Sequence, residues 1–178
     1  MTLSPIIFVA GPSGAGKSDV SKWVEADLGF LHRDIDIHHP FGTYCLRREW
    51  HLFSAQRDPV PLASILCERI AEAGNGAVLS FPSTRILTRK QVEDARSVGI
   101  CTVVLWGLEE LCKEARRARE RASGLVLDEQ RYDKSNRRAF DTYRTSEYAD
   151  VGVEAFCADG LRWSREHMVS IISTRATS

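Results

Sequence analysis

Short apolar runs alternate along the chain with longer stretches in which apolar residues recur every three or four positions. Ile6–Ala10 reads as a strand, and Val20, Trp23, Val24 and Leu28 then mark one side of a helix. "GFLHRDIDI" holds a second strand, a helical region follows His39–Pro40, and another apolar helix lies in "PLASILCERIAEA". The "GNG" turn at residues 74–76 leads into a third strand, Ala77–Phe81. A helix from about Thr88 precedes "ICTVVLW", the clearest buried strand. Two charge-rich helical stretches flank "SGLVLD", then "VGVEAF" forms a fifth strand and a closing helix runs from about Leu161. Strands alternating with helices predict a parallel sheet covered on both faces.

The 178 residues suit one domain, 1–178, with no repeat or linker to divide it. With 24 basic and 24 acidic residues the formal net charge is zero, so neither nucleic acid nor an anionic membrane is expected as a partner. No apolar run reaches membrane-spanning length, and "MTLSPIIFVAGPS" lacks a basic leader and a cleavage site, so it reads as a buried first strand. The five cysteines are scattered without a C-x-x-C spacing, which speaks against zinc and a disulfide framework. Most of them read as small buried hydrophobes in a reducing compartment, and a cytoplasmic location is expected.

Chemistry concentrates after the first strand. Gly11-Pro12-Ser13-Gly14-Ala15-Gly16-Lys17-Ser18 fits G-x-x-x-x-G-K-[ST] between an apolar strand and an amphipathic helix. Gly11, Ser13, Gly14, Ala15 and Gly16 let the backbone curl and aim its N–H groups at phosphate oxygens. The helix start adds the positive end of its dipole. Lys17 would reach the β- and γ-phosphates, and the Ser18 hydroxyl would complete a magnesium shell. No N-K-x-D segment of a guanine switch is present, and neither "AVLSF" nor "CTVVLW" ends in the carboxylate of motor ATPases. A carboxylate for magnesium must come from Asp34 or Asp36.

With this cradle and "DIDIHHP", the chain resembles the small P-loop metabolite kinases, gluconate kinase and shikimate kinase above all. The gluconate kinase pattern D-G-D-x-L-H-P matches at Asp34, Asp36, His39 and Pro40, and departs at the glycine and leucine. The resemblance implies a three-layer α/β/α P-loop NTPase fold with a five-stranded parallel sheet of order 2-3-1-4-5. It implies ATP and Mg2+ as cofactors and a small-molecule phosphate acceptor as partner, in a monomer or homodimer. It also implies an acceptor-binding segment at about 38–60 and a lid at about 116–138. By the same resemblance Asp34 orients magnesium and Asp36 the acceptor hydroxyl, or the reverse, and His39 supplies a polar contact.

"SFPSTR" is similar to the G-F-P-R-T segment of adenylate kinases, with Ser83 in place of its arginine and Arg85 two residues later. Arg85 is therefore an anion-binding candidate. Arg117 and Arg121 are the candidates among the lid arginines, against a reading of that helix as a solvated face of i,i+4 ion pairs. By resemblance Arg138, in preference to Arg131, takes the shikimate kinase position that binds an acceptor carboxylate. Arg47 and Arg48 would meet an anionic acceptor, with Trp50 and Phe53 as walls, or else lie on an exposed amphipathic helix. Asp159 and Gly160 line the adenine pocket or form a simple αβ turn. Three functions stay open: a kinase for a small anionic hydroxylated metabolite, a nucleoside or nucleoside monophosphate kinase, and an ATP-binding regulatory protein.

Overall fold

A computed structural model of the chain describes residues 5–35, 47–73, 75–81, 86–124 and 129–176. β1 (Ile6–Ala10) is buried at every position, as expected of a strand covered on both faces. Its alternation feeds two cores: Phe8 and Ala10 pack with Leu79 and Val104, whereas Ile7 and Val9 pack with Val78, Val103 and Leu105. β2 (Leu31–Asp34), β3 (Ala77–Ser80), β4 (Ile100–Trp106) and β5 (Gly152–Glu154) complete the sheet. Its order is β2-β3-β1-β4-β5 and every pairing is parallel, with Val9 level with Ser80 on one side and Val103 on the other. This is the expected architecture. The chain builds β2 and β3 on one side of β1 and crosses to β4 and β5 on the other, which opens a crevice at the carboxyl end of β1.

α1 (Lys17–Leu28) and α7 (Arg165–Ala176) cover one face through Val20, Val24, Met168, Val169 and Ile172. α3 (Val60–Ala73) and α4 (Arg89–Ser97) cover the other through Leu62, Leu66, Val92 and Ala95. α5 (Glu109–Ser123) and α6 (Glu129–Tyr143) are the two charge-rich helices, and α6 sends Phe140 into one core and Ala139 and Tyr143 into the other. α4 starts with a full capping box, in which the Thr88 and Gln91 side chains satisfy each other's backbone N–H groups.

Three expectations change. The closing helix begins at Arg165, not at about Leu161. Asp159 accepts the Leu161 N–H at 3.0 Å, Cys157 N–H bonds the Leu161 carbonyl at 2.8 Å, and Phe156 bridges Arg162, so residues 157–162 fold as a tight turn. In the segment before α3, α2 (Arg47–His51) passes into a π-helical turn, Leu52–Gln56. That turn stops at Arg57, whose φ of 59° is the only positive value of a non-glycine among the described residues. Asp94 holds the Arg57 guanidinium there at 3.0 and 3.4 Å. Finally, of the four described cysteines only Cys112 is buried, and Cys67 is exposed, because the apolar side of α3 is supplied by Leu62 and Leu66. Cys45 lies outside the described residues. Among those residues no helix is long and apolar enough to cross a membrane.

Leu87, just before α4, is clasped by two buried phenols. Its N–H donates to Tyr143 Oη and its carbonyl accepts from Tyr148 Oη, both at 2.9 Å. Tyr148→Phe leaves that carbonyl without its partner in the core and is expected to cost about 1–2 kcal/mol, or roughly 2–8 °C in Tm. Thermal unfolding followed by circular dichroism checks it; an unchanged Tm would show that the clasp carries no stability.

Candidate active site

The first described turn after β1 is the cradle, and its conformation depends on glycine. Gly14 has a φ of 87°, and a Cβ there would overlap the carbonyl of Cys112 in the first turn of α5. Gly16, at φ 88°, is the N-cap of α1 and makes no side-chain cap hydrogen bond; a Cβ would meet the Arg162 guanidinium. The first amides of α1 thus have no side-chain acceptor at the cap, which fits an anion.

Carbonyls of the loop face the other way and meet donors. Lys17 Nζ donates to the carbonyls of Gly11 and Pro12 at 2.9 Å each. Arg162 Nη2 donates to the Gly14 carbonyl at 2.7 Å, its Nη1 to Asp19 at 3.2 Å, and its guanidinium lies over the Phe156 ring at 5.5 Å. Asn136 of α6 holds Ser13: its Oδ1 accepts the Ser13 N–H at 2.8 Å and its Nδ2 donates to the Ser13 carbonyl at 3.4 Å. Sequence reasoning missed Asn136 and Arg162.

Ser18 Oγ donates to Asp34 Oδ1 at 3.3 Å, which joins the start of α1 to the end of β2. Behind Asp34 runs a polar chain: His32 Nε2 contacts Ser80 Oγ at 2.9 Å, and Ser80 Oγ donates to Ser21 Oγ at 2.9 Å. His32, 3.9 Å from the carboxylate, is the first cause holding Asp34 below the usual carboxylate range, with the nearby Ser80 and Ser18 hydroxyls adding to it. An ionised Asp34 beside the Ser18 hydroxyl is a hard-oxygen pair of the kind that suits Mg2+. Among the described residues no group of three His, Cys, Asp or Glu side chains forms a metal cage.

The other expected residues divide. Asp36, His39 and Arg85 lie outside the described residues, as does the Arg47 side chain; Arg48 is exposed on α2. Phe53, expected as a wall of the acceptor site, is fully buried and packs edge-on to Phe8 at 5.7 Å. Arg117 and Arg121 are exposed on α5 and Arg138 on α6. Arg119, also exposed on α5, is the arginine whose charge acts on Lys17. Arg116 is fully buried and pairs with Glu120 at 3.6 Å and Asp133 at 3.5 Å. Asp159 bonds Leu161 and Cys157, and Gly160 has a φ of 82°, so both serve the turn beside the cradle.

Compared with protein-family models and with curated proteins, the sequence has no match. Solved structures do match along nearly its whole length, and the fold is that of the small P-loop kinases. A gluconokinase from Sinorhizobium meliloti 1021 superposes with a TM-score of 0.55 at 19% identity, over 99% of this chain and 94% of that one. A shikimate kinase from Bacteroides thetaiotaomicron gives 0.53 at 19% identity, over 96% and 97%. The deoxyadenosine kinase of M. mycoides with bound dATP gives 0.50 at 14% identity, over 97% and 100%.

Burial, and then the charge of Arg119, lower the Lys17 pKa from 10.5 to about 8. A polyphosphate in the cradle favours the charged ammonium, so nucleotide binding should take up protons above pH ~8 and weaken as pH rises through that range. Calorimetry of ADP binding at about pH 9 in two buffers of different ionisation enthalpy should report uptake approaching one proton, absent in Lys17→Met. Equal heats in both buffers would contradict a neutralised Lys17.

Proposed function

We propose that the chain is an ATP-dependent phosphotransferase acting on a hydroxyl of a small, anionic metabolite. The observation that carries this reading is the meeting of the glycine cradle, Lys17 and the Ser18–Asp34 pair at one crevice. The amides of Gly14 and of Gly16 to Ser18 and the Lys17 ammonium would hold the β- and γ-phosphates of ATP. Ser18, and Asp34 through water, would hold Mg2+. When bound, the metal offsets phosphate charge and ATP supplies the phosphoryl group.

The chain's own residues have separable tasks. Lys17 would leave the Gly11 and Pro12 carbonyls and follow the charge of the transferred group. Arg119, whose charge acts on Lys17, would add positive charge to the crevice. Asp34, or Asp36 two residues on, would orient the acceptor hydroxyl in line with the donor. The arginines of the acceptor segment, Arg47 and Arg48, with Arg85 and Arg138, give the basis for an anionic acceptor. The likeness to gluconokinase and shikimate kinase supports this class. That to deoxyadenosine kinase, with "SFPST", supports a second reading, a nucleoside or nucleoside monophosphate kinase.

Acceptor-dependent release of ADP tests the proposal. Turnover is expected with a sugar acid or related hydroxy acid, and Lys17→Ala should lower it at least about 100-fold while the protein stays folded. Turnover with nucleosides or nucleotides only would transfer the chain to the second reading. Nucleotide binding with no acceptor turnover would leave it an ATP-binding regulatory protein.

A further inference from the structure

Asn136 lies in a stretch of the chain otherwise marked by arginines, and it is fully buried. Its amide spends both ends on one residue, accepting the Ser13 N–H and donating to the Ser13 carbonyl across 123 residues of sequence. Two bonds to the same residue restrain the torsions on either side of the Ser13 Cα, and with them the direction of the next peptide, whose N–H belongs to Gly14. The Ser13 N–H is thereby turned out of the crevice and committed to α6. The Ala15 N–H turns back to the Pro12 carbonyl at 3.4 Å, so the amides left for phosphate are those of Gly14 and of Gly16 to Ser18.

α6 is itself anchored. Asp133, one turn before Asn136 on the same helix face, takes Arg116 of α5 at 3.5 Å. Arg116 is one turn along α5 from Cys112, the residue whose carbonyl packs on Gly14. Phe140, one turn beyond Asn136, is buried in the core that also holds Cys112 and Val9. Two neighbouring residues of the cradle are therefore gripped from two helices that are tied to each other.

We propose that Asn136 is a positioning residue of the donor site: it holds the cradle in its nucleotide-binding curl before nucleotide arrives, so that binding does not have to order the loop. The inference rests on the reading of the cradle as the donor site. Removing the amide frees Ser13 and leaves fewer molecules with the loop ready, which lowers apparent affinity by the same fraction.

Calorimetric titration with ADP in the presence of magnesium, well below the melting temperature, tests it. Asn136→Ala is expected to bind ADP about tenfold or more weakly than the unaltered chain. Tyr148→Phe, which loses a buried hydrogen bond to the Leu87 carbonyl and none to the cradle, should lower Tm yet keep ADP affinity within about twofold. If Asn136→Ala does not fold, Asn136→Asp, which keeps an acceptor for the Ser13 N–H and loses the donor to its carbonyl, gives the same readout and the same expected weakening. ADP affinity unchanged in a folded Asn136 variant, with the unaltered chain binding normally, overturns this inference alone. Failure of both variants to fold makes Asn136 a residue of the fold and also overturns it. If the unaltered chain binds no ADP, the donor reading falls and the inference falls with it.

Discussion

Gly14 rests on the Cys112 carbonyl so closely that no side chain could stand at that position, and this contact shapes the cradle. It brings the loop against the first turn of α5, which follows β4, while α1 leaves directly from the loop's other end. The central place of β1 makes this possible: β4 is its hydrogen-bonded neighbour, so the helix after β4 starts beside the loop after β1. A loop of glycines and small residues can then be surrounded by donors. Lys17, Arg162 and Asn136 take its carbonyls, and Asn136 also takes the Ser13 N–H. The anion site is the remainder after these hydrogen bonds are made.

The same economy appears at Asp34. A carboxylate at the end of β2 would repel a polyphosphate, yet it is held charged by His32, Ser80 and Ser18. Those groups belong to β2, β3 and α1, so three elements converge on one carboxylate that a divalent cation can use. Cys112, although at the heart of the site, takes no part in this chemistry. Burial pushes its thiol up to about 11, and it serves as packing and as the carbonyl under Gly14.

Much of this was legible in the sequence where the signal is local. The cradle is eight consecutive residues between an apolar strand and a helix, and the five strands announce themselves as short apolar runs. The parts that escaped depend on distance or phase. Asn136 and Arg162 reach the loop from 123 and 148 residues away, with no spacing rule to connect them. On α5, Cys112 and Arg116 are buried one turn apart, whereas Arg117, Arg119 and Arg121 are exposed. A charged residue at the buried position 116 hides that phase from any hydrophobic pattern. The late start of α7 was hidden for a different reason. A turn at Asp159 and Gly160 is legible, but its extension through Leu161 and Arg162, held by hydrogen bonds from residues 156–159, is not signalled by composition.

On the proposed function, the cradle and Lys17 would read the outer phosphates of a nucleotide through backbone amides and one lysine. Equilibrium binding of ATP with magnesium, with competition by ADP and by AMP, tests that most directly. One ATP should bind per chain, displaced by ADP and scarcely by AMP, since AMP lacks the phosphates the cradle is built to hold. Competition by AMP as effective as that by ADP, or no binding of ATP at all, would contradict the account.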